Sequence, residues 1–403
     1  MKYSRIIKAQ ILNALKYFPV VLLTGARQVG KSTLALDLLD TYMTFDDITV
    51  YASARSDPKT FVNSLRKPVV IDEVQKMPEI LNAIKMDVDR KRINGSYLLT
   101  GSSNIMAYKG IADTLAGRIA VIELLPLSCK EIAFKDDNIL DKLFSKNIAK
   151  IKLSDINKDD IIMRIVNGGY PEVQKIDNPR GRYLWFGSYI STYIERDIRD
   201  IGELRHMDKF IRMFNMLASR SSHVLIKTDI ARDAGIDNKT LDNYLKLLEM
   251  TYQIFLLKPY SRNINKRFVK SNKIFFTDSG VVSYLLGISS PQQLMSSPYK
   301  GALLETFVFA ELLKAVKYAE HPARIFFYRT SDRKEIDFII EKDGTIIAAE
   351  VKLSQTVTKS DFKHVIDLGK SAGNLHAGYV FYMGEHILPF GENLYALPVN
   401  ILF

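Results

Sequence analysis

The eight residues Gly25-Ala-Arg-Gln-Val-Gly-Lys-Ser32 constrain this chain more than any other stretch. They read G-x-x-x-x-G-K-S and follow an apolar run, Pro19-Val-Val-Leu-Leu-Thr24. A short unbroken apolar run bounded by turn residues marks a buried parallel strand. Behind them, Thr33-Leu-Ala-Leu-Asp-Leu-Leu39 has helical spacing. Strand, glycine-rich turn and helix start together point backbone N–H groups at a phosphate chain. Gly25, Ala26, Arg27, Gln28, Val29, Gly30, Lys31, Ser32 and Thr33 are therefore the expected nucleotide-binding residues. Lys31 is expected to face the β- and γ-phosphates, and Ser32 to offer its hydroxyl to Mg²⁺.

About 40 residues further on, Arg66-Lys-Pro-Val-Val-Ile-Asp-Glu-Val74 reads as a strand ending in Asp72-Glu73. Asp72 suits direct or water-mediated Mg²⁺ coordination, and Glu73 is the expected general base for an attacking water. The interval holds a helix and one strand candidate, Tyr42-Met-Thr-Phe45, as in ATPases with an added catalytic glutamate. A third strand, Ser96–Thr100, leads into Gly101-Ser-Ser-Asn104. Ser102, Ser103 and Asn104 are all candidates to orient the lytic water; a plain turn is the alternative. Arg118 precedes a fourth strand, Ile119–Leu124. It reads either as an arginine finger on a γ-phosphate, across a subunit or domain interface, or as a surface arginine.

GARQVGKST, VVIDEVQ, YLLTGSSN and LAGRIAVIELLPLS resemble a widespread prokaryotic family of AAA-type P-loop ATPases with a long C-terminal region. Gly168-Gly-Tyr-Pro-Glu172, Tyr193-Ile-Glu-Arg-Asp197, Phe276-Thr-Asp-Ser-Gly280 and Glu350-Val-Lys352 extend the resemblance over nearly the whole chain. It implies an ATP-binding fold, with ATP and Mg²⁺ as cofactors, and no settled biological role.

At 403 residues, two or three domains are expected. A hydrophobic content of 47% with 25% charged residues is that of an ordinary soluble protein. Cys129 is the single cysteine, which rules out an intrachain disulfide and suits a cytoplasmic setting. No run reaches the ~18 apolar residues of a membrane span. The net charge of +11 favours a polyanionic partner such as DNA or another nucleic acid. Lys258, Arg262, Lys266, Arg267, Lys270 and Lys273 form an acid-free stretch. It reads either as a phosphate-contacting segment or as a solvated loop. A homo-oligomer is compatible with all of this.

The middle of the chain is expected to be helical. Gly168–Asp200 reads as helix, with Arg196, Asp197, Arg199 and Asp200 as a surface salt-bridge network at its end. Thr228–Gly235 and Lys239–Glu249 read as two short helices, with Thr228 and Asn238 as caps and Gly235 as a stop. With the strand Tyr252–Leu257 after them they resemble a winged helix, either DNA-reading or partner-binding.

The last third carries a second constellation. Glu335-Ile-Asp-Phe-Ile-Ile340 alternates like a half-buried strand, a turn at Asp343-Gly344 follows, and the next strand ends in Glu350-Val-Lys352. Upstream, Leu303–Leu312 is a helix presenting Glu305. A helix acid, an Asp and then Glu-x-Lys resemble the PD-(D/E)XK nuclease core. Alternation puts Glu350 and Lys352 on one face, beside Asp337 across the hairpin. There the acids would hold Mg²⁺ and Lys352 would position the attacking water. An inactive nuclease-like scaffold is the alternative.

The expected architecture is α/β: a P-loop parallel sheet (1–135), a helical linker region (136–205), a winged-helix-like domain (206–273) and a PD-(D/E)XK-like domain (274–403). The expected function is a Mg²⁺-dependent ATPase acting on or near DNA, with a C-terminal nuclease site. The rival is an ATP-dependent switch whose nuclease-like scaffold is silent and binds a protein partner.

Overall fold

The computed structural model describes residues 3–102, 115–194, 206–261, 271–330, 332 and 334–403. Ser103, Asn104, Arg196, Asp197, Arg199, Asp200, Arg262, Lys266, Arg267 and Lys270 lie outside the described residues. The chain forms two compact units. One is Arg5–Pro126 with Met250–Tyr252; the other is Leu127–Glu249 and Gln253–Phe403 with the first four residues. Each is α/β.

The first unit is built on a five-stranded sheet in the order β2-β3-β4-β1-β5. Its strands are β1 (Val20–Thr24), β2 (Tyr42–Thr44), β3 (Val69–Asp72), β4 (Tyr97–Gly101) and β5 (Ile119–Glu123). All neighbours are parallel. β1, β3 and β4 are buried along their whole length. That is why these strands read as unbroken apolar runs: helices cover both faces of a parallel sheet. The helices are α1 (Lys8–Tyr17), α2 (Lys31–Leu36), α3 (Ile48–Ser56), α4 (Pro58–Ser64) and α5 (Ile80–Arg90). Asp47 and Asp57 cap α3 and α4 by accepting from backbone N–H groups of the first turns. The core gathers Val20, Leu22, Val69, Ile71, Tyr97 and Leu99 with Ile80 and Ile84 of α5. Full burial of each such aliphatic side chain contributes about 1.5–3 kcal/mol.

In the second unit, two short helices, Cys129–Ile132 and Ile139–Leu143, precede α6 (Lys158–Asn167) and α7 (Pro179–Tyr189). The stretch expected as one helix from Gly168 begins instead as a loop. Gly168 stands at φ 63°, and α7 starts only at Pro179, behind the cap Asn178. The glycine is required: a Cβ there would lie 2.1 Å from the Asp278 carboxylate. Asp278 accepts from the N–H groups of Gly169, Gly280 and Val281, so the two sequence motifs Gly168–Glu172 and Phe276–Gly280 meet at one buried acid.

Next come α8 (Met207–Ala218), β6 (His223–Val224), α9 (Lys227–Ala234), α10 (Asn238–Met250), β7 (Ile254–Leu257) and β8 (Lys273–Phe276). The three strands pair antiparallel as β6-β8-β7. Leu241, Tyr244, Leu245 and Leu248 are buried as the spacing predicts, and Gly235 ends α9 at φ 69°. The expected caps are corrected. α9 already begins at Lys227, so Thr228 lies inside it. Asp237, not Asn238, accepts from the Thr240 N–H at 2.7 Å.

The large sheet is six-stranded, in the order β13-β14-β12-β11-β10-β9. It comprises β9 (Ala323–Arg329), β10 (Glu335–Lys342), β11 (Thr345–Lys352), β12 (Leu375–Tyr382), β13 (Leu388–Gly391) and β14 (Leu394–Pro398). β9, β10 and β11 run antiparallel, then β11 to β12 is parallel through a crossover helix. The helices of this part include α11 (Ser279–Leu285), α12 (Lys300–Lys317) and that crossover, α13 (Lys363–Ala372). Phe309 of α12 stacks on Phe275 of β8, with centroids 4.1 Å apart, and meets Phe338 of β10. Among the described residues no helix is long and apolar enough to cross a membrane.

Candidate functional site

β4 lies between β1 and β3, so the ends of the three strands converge. The loop after β1 has three residues at positive φ: Gly25 at 147°, Gln28 at 63° and Gly30 at 95°. Such a winding turns successive N–H groups inward to an anion. A Cβ on Gly25 would stand 2.1 Å from the Leu124 carbonyl oxygen, so only glycine fits. Arg5 is buried behind the loop and donates to the carbonyls of Val29 (2.8 Å) and Leu125 (2.6 Å). Lys31 donates to the carbonyls of Gly25 (3.0 Å) and Ala26 (2.8 Å).

Asp72 closes β3 and is buried. Its Oδ1 accepts from the Ser32 hydroxyl at 3.1 Å and from the Thr100 hydroxyl, and its Oδ2 accepts from Tyr42 at 2.5 Å. Burial, followed by the bond to Asp72, pushes the Tyr42 phenol well above its ordinary range, so it stays a donor. Glu73 is in the left-handed region at φ 58°. A non-glycine residue held there costs on the order of 1–3 kcal/mol and is typical of functional positions. Burial raises the Glu73 carboxyl above the usual range; Lys31 opposes the shift and Asp72 adds to it. Gln75 donates one amide to both Glu73 and the Ser102 hydroxyl, the latter at 3.0 Å. Of the three water-orienting candidates, Ser102 is thus tied to Glu73 through Gln75.

The structure brings Lys31, Ser32, Asp72 and Glu73 together. Sequence reasoning missed Tyr42, Thr100 and Gln75. Their signal was position: Tyr42 opens the strand beside β3, Thr100 nears the end of β4, and Gln75 lies two residues beyond Glu73. Arg118 is elsewhere. The β1–β5 register runs from Val20–Ile119 to Thr24–Glu123, which leaves Arg118 at the end of the sheet opposite the Gly25 loop. Roughly 15 Å of strand separates them. Arg118 pairs with Asp89 at 2.5 Å, so it cannot face a nucleotide on its own loop. What remains for it is a neighbouring chain's nucleotide or the role of a surface charge. If Arg118 serves a neighbour, turnover per chain of Arg118→Ala should lose the rise with protein concentration shown by the native chain. Equal curves would make it a surface charge.

The second constellation also converges. Asp337 lies one step beyond the Phe338–Ala349 pair of the β10–β11 hairpin, opposite Glu350. Glu305 comes from α12. An unexpected lysine joins them. Lys273, the first residue of β8, has a side chain 3% exposed. Its Nζ lies 2.7 Å from Glu305 Oε1, 2.9 Å from Glu335 Oε1 and 3.4 Å from Asp337 Oδ1. The other Asp337 oxygen accepts from the Val351 N–H at 2.9 Å. Lys352 is partly exposed, with its Nζ 3.8 Å from Glu350. Burial, then the Asp337 charge, pushes both Glu305 and Glu350 upward. Burial pulls Lys273 down, but Glu305, Asp337 and Glu335 together outweigh it and keep the ammonium charged. This corrects one expectation: Lys273 is no phosphate-contacting member of the 258–273 stretch, because acids enclose it. Its sequence signal was weak, a lysine opening the apolar strand Ile274-Phe-Phe276. Glu335 was more legible, since strand alternation places it on the face of Asp337.

Compared with known proteins, residues 17–133 match the AAA domain family. Residues 158–292 and 300–402 match two domains of unknown function, DUF8612 and DUF4143. An uncharacterised protein of Mycobacterium tuberculosis is 28% identical over 97% of this chain and 82% of its own. One from Methanocaldococcus jannaschii is 24% identical over 88% of this chain and 81% of its own. Among solved structures, a Walker-type ATPase of Pyrococcus abyssi overlaps 70% of this chain and 94% of its own. Its TM-score is 0.42 at 15% identity.

Proposed function

We propose that the chain is a Mg²⁺-dependent ATP hydrolase acting on or near DNA. The observation that carries the hydrolase reading is the Ser32 hydroxyl on Asp72 at 3.1 Å, with Glu73 next in sequence. These residue types fit a Mg²⁺–nucleotide: a hydroxyl and a carboxylate for the ion, a lysine and a glycine loop for the phosphates. Bound Mg²⁺ would neutralise charge on the phosphate oxygens. The chain's own part is to cradle the phosphates, to hold Ser32 through Asp72, and to present Glu73 as the acceptor of a water proton. Tyr42 and Thr100 fix the Asp72 carboxylate.

Weakening that shell should weaken the metal requirement selectively. Asp72→Asn is expected to raise the Mg²⁺ concentration for half-maximal turnover roughly 10–100-fold, the usual effect of disturbing groups that support an ion. A titration of turnover against Mg²⁺ checks this; an unshifted midpoint would remove Asp72 from the site.

The DNA part of the proposal is supported by the net charge of +11 and by the helices and three-stranded sheet of residues 207–276, which have winged-helix order. Turnover measured with single-stranded DNA, duplex DNA and RNA tests both parts. Stimulation at low salt that fades as salt rises is expected. No ATP turnover under any condition would end the hydrolase reading. Turnover indifferent to every nucleic acid would leave an ATP-driven switch. For the C-terminal part, enclosure of Lys273 by acids favours a silent nuclease-like scaffold over a metal nuclease.

A further inference from the structure

The acid cluster of the second unit does not fit a divalent ion as it stands. Mg²⁺ binds oxygens at about 2.0–2.1 Å in near-ideal octahedral geometry, and Ca²⁺ at about 2.3–2.6 Å with more of them. Here the space among Glu305, Glu335 and Asp337 is filled by the Lys273 ammonium. An ammonium has three N–H donors, and three carboxylates surround this one. Both Asp337 oxygens are engaged, since Oδ1 faces Lys273 and Oδ2 accepts from Val351 N–H. Among the described residues, no group of three or more His, Cys, Asp or Glu is arranged to hold a metal. The lysine is also fixed from behind. β8 is the middle strand of its sheet, and Lys273 pairs with Val224 on one side and Leu257 on the other.

We propose that Lys273 is the resident cation of this site: its ammonium stands where a divalent ion would, offsets part of the charge of Glu305, Glu335 and Asp337, and keeps metal out of this cluster in the native chain. Four elements thereby meet at one charge. Glu305 comes from α12, Glu335 and Asp337 from β10, Lys273 from β8, and Glu350 of β11 lies against Asp337. The cluster is then a polar clasp within the unit and not a metal-dependent phosphodiester-cleaving centre. The inference stands apart from the ATP site, whose chemistry can fail or hold without it.

The test is a Mn²⁺ titration of the full chain without nucleotide, read from the free-ion electron paramagnetic resonance signal. The native chain and Asp337→Asn should give superimposable curves, because neither takes up Mn²⁺ at the cluster. Lys273→Met should gain one equivalent, and Asp337→Asn in that background should weaken its affinity at least tenfold. Circular dichroism and ATP binding show whether the variants are folded. Uptake of one equivalent by the native chain that Asp337→Asn abolishes would overturn the proposal, and this comparison needs no lysine variant. A folded Lys273→Met chain that gains no Mn²⁺ would overturn it as well, since the lysine would then be a structural partner and not a stand-in for a metal.

Discussion

Glu73→Gln is expected to slow ATP turnover by about 10²–10⁴-fold, the range that a positioned general base contributes, while ATP still binds. The amide keeps the size of the side chain but cannot take a water proton. Glu73 sits at a backbone conformation held by its neighbours: its N–H points at the Thr100 hydroxyl at 3.4 Å, and Gln75 holds its carboxylate. Because the substituted side chain stays isosteric, the Ser32–Asp72 pair should be undisturbed. Single-turnover rates together with equilibrium binding of ATP check both halves of the statement. Native turnover would show that another residue is the base.

Lys31→Ala should act on binding instead. Lys31 is 6% exposed and is held by the carbonyls of Gly25 and Ala26. Removing it takes away the positive charge of the loop and leaves two buried carbonyls short of a donor. A hydrogen bond involving a charged group contributes about 1.5–3 kcal/mol. At roughly 1.4 kcal/mol per factor of ten, ATP affinity should fall by about 10–100-fold for each hydrogen bond that the ammonium makes to a phosphate oxygen. Titration with a fluorescent ATP analogue measures this. Unchanged affinity would remove the Gly25–Thr33 loop from the nucleotide site.

Both variants concern groups whose placement local chemistry dictates. The Gly25 loop was legible because each requirement is local. An apolar run gives β1, glycine at 25 and 30 permits the positive φ, and Lys31 and Ser32 follow at fixed offsets. Asp72-Glu73 was legible for the same reason, as acids ending an apolar strand. The alternation of Glu335–Ile340 and of Thr345–Lys352 likewise placed Asp337 opposite Glu350, because a hairpin turn fixes register over a few residues.

Pairings across long sequence separations were not legible. Tyr42 and Thr100 reach Asp72 only because β2 and β4 flank β3, an order that no single segment encodes. Arg118 is the converse. Its place before a core strand looked promising, and the parallel direction of β5 puts it at the end of the sheet away from its own Gly25 loop. Lys273 is the clearest case. In the sequence it closes a basic stretch and looks like a surface charge for phosphates. Strand pairing of β8 and the packing of α12 turn it inward among three acids, and a charge removed from water must take such partners. The sequence by itself determined the nucleotide loop, the acids and the local elements, since these follow from side-chain chemistry and short-range periodicity. Only the tertiary structure decided which charges meet, because that depends on strand order and burial across the 64 positions that separate Lys273 from Asp337.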